Sequence, residues 1–284
     1  GIRDSSVTGV QTCALPIYNT VKNEDDLGQT PLLAAIGFDL LADEKPLITQ
    51  IGRYSARTES FRSLRTNLKY ANPGMSPKVI VVTSALPGEG KTTSSINLAI
   101  MFAQAGLRTL LIEGDLRRPK VSEYLSFDVK ENGLSELLNG MLDVERNEDL
   151  QSTFKPTDNT NLFVMPTGKI PPNPSELLNS PRFAKLIEKL RNEFDYVIID
   201  CPPLLPVTDA ALITTKVDGA VIVIKAGVTN VKQFEVARDS ITSVGAHVLG
   251  VALNMIPTNR TGNDYGYGYG YGYSYKKKSY SYEN

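Results

Sequence analysis

The densest group of residues able to handle phosphate is "SALPGEGKTTSS", residues 84–95. Read against G-x-x-x-x-G-K-[ST], it matches everywhere except the first position, where Ala85 stands for glycine. Gly88 and Gly90 let the backbone wrap closely around phosphate oxygens, and a helix starting after them offers free N–H groups and partial positive charge. Lys91 can reach β- and γ-phosphates, and Thr92 can ligate magnesium. The nucleotide-binding set is therefore Pro87, Gly88, Glu89, Gly90, Lys91, Thr92 and Thr93. Three carboxylates accompany it. "LLIEGDLRRP" carries Glu113 and Asp115, and "VIIDCPP" carries Asp200. Acids after strands often only cap turns. Three beside such a loop point to a magnesium–nucleotide site, with Thr92, Asp115 and Asp200 as metal ligands and one acid accepting a proton from an attacking nucleophile.

These residues need a frame that brings them to one edge. "VIVVTS" (79–84) is a β-branched run of the buried-strand kind, and "KTTSSINLAIMFAQAG" after it reads as a helix ending at Gly106. "TLLIE" (109–113), "NLFVMPTG" (161–168), "YVIID" (196–200), "GAVIVIKA" (219–226) and "LGVALNMI" (249–256) are further strands. "GLSELLNG" is a short helix, "SPRFAKLIEKLRNEF" an amphipathic one, and helices are expected near 208–216 and 230–244. This alternation predicts a doubly wound α/β fold: a mostly parallel sheet with helices on both faces, like that of P-loop NTPases. Ligands then sit at the C-terminal ends of the strands, where the motifs fall. Upstream, Phe61, Leu64, Leu68 and Tyr70 recur at helical spacing until "NPGMSP" (72–77). The same stretch holds Glu59, Arg62 and Arg65, an E-x-x-R-x-x-R pattern on one helical face.

The ends read differently. Residues 1–17, "GIRDSSVTGVQTCALPI", have no period, resemble a translated sequencing adapter, and are set aside from fold reasoning. Residues 18–50 read as a linker with room for one short strand or helix, and residues 51–260 as the domain that carries the phosphate loop. Residues 261–284 form a biased tail whose "YGYGYGYGYSYKKKSYSY" holds Tyr265, Tyr267, Tyr269, Tyr271, Tyr273, Tyr275, Tyr280 and Tyr282. Low-complexity tails of this kind can be functionless. The net charge of -1 gives no electrostatic reason to expect a nucleic-acid partner. No run of about 18 apolar residues is present to span a bilayer. Two cysteines, Cys13 and Cys201, are no disulfide framework and fit a reducing compartment. His247 is the only histidine, so no histidine-based metal site can be built, and Cys201 reads as a small filler rather than a nucleophile.

Taken together, the motifs over residues 45–284 resemble the bacterial tyrosine kinases of capsule and exopolysaccharide synthesis, the BY-kinases. Ala85–Thr92 is similar to their Walker A, Leu110–Arg117 to Walker A′ and Val197–Pro203 to Walker B. "GLSELLNG", "PPNPSELLNS" and "VTDAALI" also match in order and spacing.

The resemblance implies an ATP- and Mg2+-dependent protein-tyrosine autokinase with Lys91, Glu113, Asp115 and Asp200 as catalytic residues. Arg117 joins the nucleotide-binding set, and Asn254 stands where related folds contact adenine. The tail tyrosines become the phosphoacceptors, and Glu59, Arg62 and Arg65 a surface that closes a homo-oligomeric ring. It implies a transmembrane polysaccharide co-polymerase as activator, possible on the same full-length polypeptide, a cognate tyrosine phosphatase, no nucleic acid, and a cytoplasmic location at the inner face of the membrane. From Ile256 to Tyr275 a fully extended chain reaches roughly 65 Å, enough for a neighbour's site and for the chain's own, so reach does not choose between them; the resemblance implies transfer between neighbours in the ring.

One departure is Glu113, where the family's Walker A′ has Asp, the acid assigned to activating the tyrosine hydroxyl. Two alternatives stand beside this reading. A partition-type ATPase would carry a second lysine at the position of Leu86, and a nucleotide-gated scaffold would lack transfer altogether.

Overall fold

Apolar runs too short for helices and buried on both sides build a sheet, and that is how the centre of this chain folds. In the computed structural model, which describes residues 19–38, 42, 44–71, 76–127 and 132–257, every residue of Val79–Ser84 is buried. The strands in chain order are β1 (Leu32–Gly37), β2 (Val79–Ser84), β3 (Thr109–Glu113), β4 (Lys155–Pro156), β5 (Leu162–Met165), β6 (Tyr196–Asp200), β7 (Gly219–Lys225) and β8 (Val248–Ile256). The helices are α1 (Ala56–Lys69), α2 (Lys91–Gln104), α3 (Val121–Tyr124), α4 (Leu134–Asn139), α5 (Asn147–Ser152), α6 (Pro174–Asn179), α7 (Pro181–Glu193), α8 (Asp209–Thr214) and α9 (Val231–Thr242). One eight-stranded sheet runs β1-β8-β7-β2-β6-β3-β5-β4. Among the described strands, only the terminal β4–β5 pair is antiparallel.

The period-2 alternation of a strand sorts side chains between two cores. Ile80, Val82, Leu111, Ile198, Val221 and Val223 face α1 and α2, meeting Phe61, Leu64, Leu68, Ile96 and Phe102. Val79, Val81, Leu110, Ile112, Val197, Ile199 and Ile222 face the other side, under Leu137 of α4, Leu178 of α6, Phe183 and Leu186 of α7, Ile213 of α8 and Phe234 of α9. The expected doubly wound architecture is thus present. Helix ends follow local chemistry. Ser55 accepts from Thr58 N at 3.1 Å to start α1, and Ser180 accepts from Phe183 N at 3.3 Å to start α7, with Pro181 in its first turn.

The segment expected to be a linker is folded. Leu32–Gly37 adds β1 to the sheet edge, parallel to β8 with Leu32 opposite Val251. Val21, Leu27, Leu33, Ile36, Leu47 and Ile48 are all buried. The domain therefore begins well before residue 51. Its partner strand lies more than two hundred positions downstream, so no local pattern announces it. Residues 1–17, with Cys13, and the tyrosine cluster at 265–282 lie outside the described residues.

Candidate nucleotide site

β2 occupies a central place between β6 and β7, so the loop leaving it opens beside the end of β6, which carries Asp200, with the acid-bearing end of β3 one strand further on. Gly88 and Gly90 both adopt left-handed backbone, φ 80° and 88°. A Cβ on Gly90 would also collide with the side-chain amide of Asn254, so glycine is required there twice over. Asn254 comes from the end of β8 and donates from Nδ2 to the Glu89 carbonyl at 2.9 Å. It thus holds the loop as well as lining the cavity beside it.

Glu89 turns its side chain away from that cavity. One carboxylate oxygen accepts from Leu86 N at 2.6 Å, the other from Lys225 N at 3.3 Å and from the Thr229 hydroxyl. The residue is 2% exposed, and burial pushes its carboxyl above the ordinary range against the pull of these donors. Glu89 can therefore serve nucleotide binding only through its backbone and as a brace.

α2 begins at Lys91 and presents first-turn N–H groups without intrahelical partners. Lys91 Nζ lies 3.1 Å from Asp115 Oδ2, 3.7 Å from Asp200 Oδ2 and 3.3 Å from Thr92 Oγ1. Burial alone would lower the Lys91 pKa, but the Asp200 and Asp115 carboxylates overcome it and raise it. Thr92 donates to Asp200 Oδ2 at 2.8 Å, and Ser95 to Asp200 Oδ1 at 3.0 Å. Asp200 is fully buried, and desolvation pushes its carboxyl up to about 6 despite Lys91 and these two hydroxyls. Asp115 Oδ1 accepts from the backbone of Arg117 (3.3 Å) and Arg118 (3.0 Å), which fixes the turn after β3. Gly114 sits between the two β3 acids because β6 passes against it: its N–H donates to the Asp200 carbonyl at 2.8 Å, and a Cβ would strike Ile199.

Glu113 departs from the expected role. It is fully buried, accepts from Ser122 N at 3.1 Å, Ser122 Oγ at 2.8 Å and Thr167 N at 3.0 Å, and does not line the cavity. A carboxylate saturated by three donors and turned into the protein is not placed to take a proton from an incoming hydroxyl. Alternation along a strand would put residues two apart on one face, but β3 ends at Glu113 and Asp115 lies in the turn beyond it, so the two part company: Glu113 is captured by Ser122 of α3 and Thr167 of the loop after β5. Of these two acids, Asp115 is the one on the cavity wall.

The cavity itself has a volume of about 750 Å³, within the size range of small-ligand sites. Of the residues read as nucleotide-binding, Pro87, Gly88, Gly90, Lys91, Thr92, Thr93, Arg117 and Asn254 line it. Arg117 is aimed by a group that sequence reasoning missed. Asp209, fully buried at the start of α8, takes its Nε at 2.6 Å and its Nη2 at 3.2 Å, and Ser175 bonds both partners. The stretches "PPNPSELLNS" and "VTDAALI" held these residues, but spacing assigned them no chemistry. Ile36, Phe38 and Phe61 supply an apolar wall with no signal in the sequence.

Among the described residues, no group of three His, Cys, Asp or Glu side chains could cage a metal. The donor set nonetheless fits magnesium. That ion characteristically takes one or two carboxylates together with substrate phosphates and water, and the Thr92 hydroxyl with Asp200 provides such a partial shell, while Asp115, also read as a ligand, is paired with Lys91.

Comparison with known proteins accords with this geometry. A family described as AAA domain matches residues 77–241. Tyrosine-protein kinase CpsD of Streptococcus agalactiae is 39% identical over 216 residues, 75% of this chain and 91% of that protein. The chain belongs to the bacterial tyrosine-kinase family. The kinase domain of Escherichia coli tyrosine kinase ETK superposes with a TM-score of 0.75 at 29% identity, covering 88% of this chain and all of that one. A longer relative, tyrosine-protein kinase ptk of Acinetobacter johnsonii, is 34% identical over 92% of this chain, which spans 34% of that protein.

For a member of the bacterial tyrosine-kinase family, the α1 motif divides in two. Glu59 and Arg62 pair with each other on the exposed side of the helix, while Arg65 donates to the Met101 carbonyl of α2 at 3.1 Å. Cys201 is buried, with its thiol pushed up by burial and by Asp200, in keeping with a filler. His247 is exposed ahead of β8. No described helix is long and apolar enough to cross a membrane.

Proposed function

We propose that the chain uses Mg-ATP to phosphorylate tyrosines of the 265–282 cluster on a neighbouring copy within a ring, and so regulates synthesis and export of capsular polysaccharide or exopolysaccharide. The observation that carries this is the convergence of Lys91, Thr92 and Asp115 on one cavity wall, with Asp200 buried directly behind Thr92 and Lys91, in a chain belonging to the tyrosine-kinase family. Lys91 neutralises β- and γ-phosphates, the loop backbone and α2 N-terminus cradle them, and Thr92 with Asp200 holds magnesium, which when bound balances the phosphate charge. Asp115 accepts the phenol proton as the tyrosine oxygen bonds to the γ-phosphorus and the bond to ADP breaks. Arg117, held by Asp209 and Ser175, faces the phosphates, and Asn254 borders the base. Glu59 and Arg62, exposed on α1, meet the adjoining subunit. The partners are further copies, a transmembrane polysaccharide co-polymerase that activates the kinase at the inner face of the cell membrane, and a phosphatase that resets it.

The test is intact mass after incubation with Mg-ATP. Wild type should gain a ladder of phosphates that Lys91→Met and deletion of 265–282 both lose. No gain, even with the cytoplasmic segment of the activator added, would favour a partition-type ATPase or a nucleotide-gated scaffold. Against the first of these, the position of the second lysine is Leu86, half-buried against the core with its N–H donated to Glu89.

A further inference from the structure

The first described residues are laced to the turn between β7 and α9. Val21 N donates to Thr229 O at 2.9 Å, Gly227 N to Val21 O at 2.8 Å, and Val231 N to Asn19 O at 2.9 Å, with Thr20 bridging Asn230. The Val21 side chain is fully buried, which locks this short pairing into the core. From the same turn, the buried Thr229 hydroxyl donates to Glu89 Oε1, and Lys225 N donates to that oxygen as well. Glu89 sits between the two left-handed glycines of the phosphate loop, and its other oxygen holds Leu86 N. The loop's shape is therefore set from outside itself, by a carboxylate whose position depends on Thr229. The backbone of Thr229 in turn depends on Val21.

We propose that Thr229 is a positioning residue for the phosphate loop, and that residues 19–21 with the 225–231 turn form a strap coupling the chain that leads into Asn19 to nucleotide binding. This rests on the nucleotide reading above. Coupling of this kind is reciprocal. Nucleotide on the loop steadies the strap, and whatever holds or pulls the chain ahead of Asn19 alters affinity for nucleotide. A path of this sort lets an activator joined to, or docked on, that leading chain act at the phosphate site without touching it.

Hydrogen exchange with and without Mg-ADP tests the strap on the wild-type protein. Protection is expected at the loop, residues 86–93, and also at the amides of Val21, Gly227 and Val231. In parallel, Thr229→Val keeps the side-chain size but removes the donor to a buried carboxylate. It should raise the Kd for Mg-ADP roughly tenfold, and Thr229→Ser should restore it. A loop left unprotected by Mg-ADP would overturn the nucleotide reading and the strap together. A protected loop with unchanged exchange at Val21, Gly227 and Val231 would overturn the strap alone, as would wild-type affinity in Thr229→Val. If that variant does not fold, the wild-type exchange pattern decides.

Discussion

At the scale of single residues, Asp200 carries the sharpest conflict in the molecule. Its carboxyl, pushed up to about 6 mainly by burial, titrates above an unfolded-state value near 4. A raised acid pKa means that the folded state binds more protons than the unfolded state between those values. Stability therefore falls as pH rises from about 4 to about 6, by up to about 3 kcal/mol. Asp200→Asn removes that loss. Without nucleotide or magnesium, the variant should show a flatter pH dependence of its urea midpoint over this window than wild type, while failing to transfer phosphate. Glu113 makes the complementary case. As a brace accepting three donors, it should tolerate Glu113→Gln poorly, because the amide NH2 would face a donor. A loss of about 1–3 kcal/mol in denaturant unfolding is expected. The pH profile of kcat should keep its acidic limb in that variant. Loss of the limb would return the base role to Glu113 and take it from Asp115.

At the scale of elements, the phosphate loop and the β1 edge set different demands. Gly90→Ala must adopt a left-handed backbone and displace Asn254, so it should abolish nucleotide binding at a cost of only about 1–3 kcal/mol in stability. Isothermal titration with Mg-ADP beside a thermal melt separates the two effects. β1 works the other way. Leu33 is buried against α1, and Leu33→Ala should cost about 2–5 kcal/mol. The cavity wall at Ile36 and Phe38 would loosen with it. The central strands were readable because each is a continuous apolar run with β-branched residues, as a strand buried on both faces must be. β1 was not, because "PLLAAIG" is equally at home in a short helix and its partner is remote in sequence.

At the scale of the whole molecule, the exposed Glu59–Arg62 pair contributes little to the folding of one subunit, since an exposed ion pair is worth about 0–1 kcal/mol. If it closes a ring, Arg62→Ala should leave the melting temperature of the monomer nearly unchanged while removing the larger species in sedimentation velocity. A variant that keeps the oligomer would remove α1 from the interface. Each phosphotyrosine adds about -1.5 to -2 charges. In the proposed ring several per subunit would repel one another, so exhaustive phosphorylation should shrink the particle in light scattering.

The sequence alone determined what depends on local pattern. The glycines and Lys91-Thr92 name a phosphate loop, and the strand–helix alternation names a parallel sheet. The acids after "TLLIE" and "YVIID" fall at the mouth that a parallel sheet must have. What only the tertiary structure decided is which way each side chain turns at that mouth. Glu113 and Asp115 are two residues apart, yet one is captured by Ser122 and Thr167 while the other meets Lys91. Glu89, inside the motif, looks outward to Thr229, and Asp209, outside every motif, aims Arg117. Those orientations are set by donors brought from distant strands and loops, and a donor's position exists only once the chain has folded.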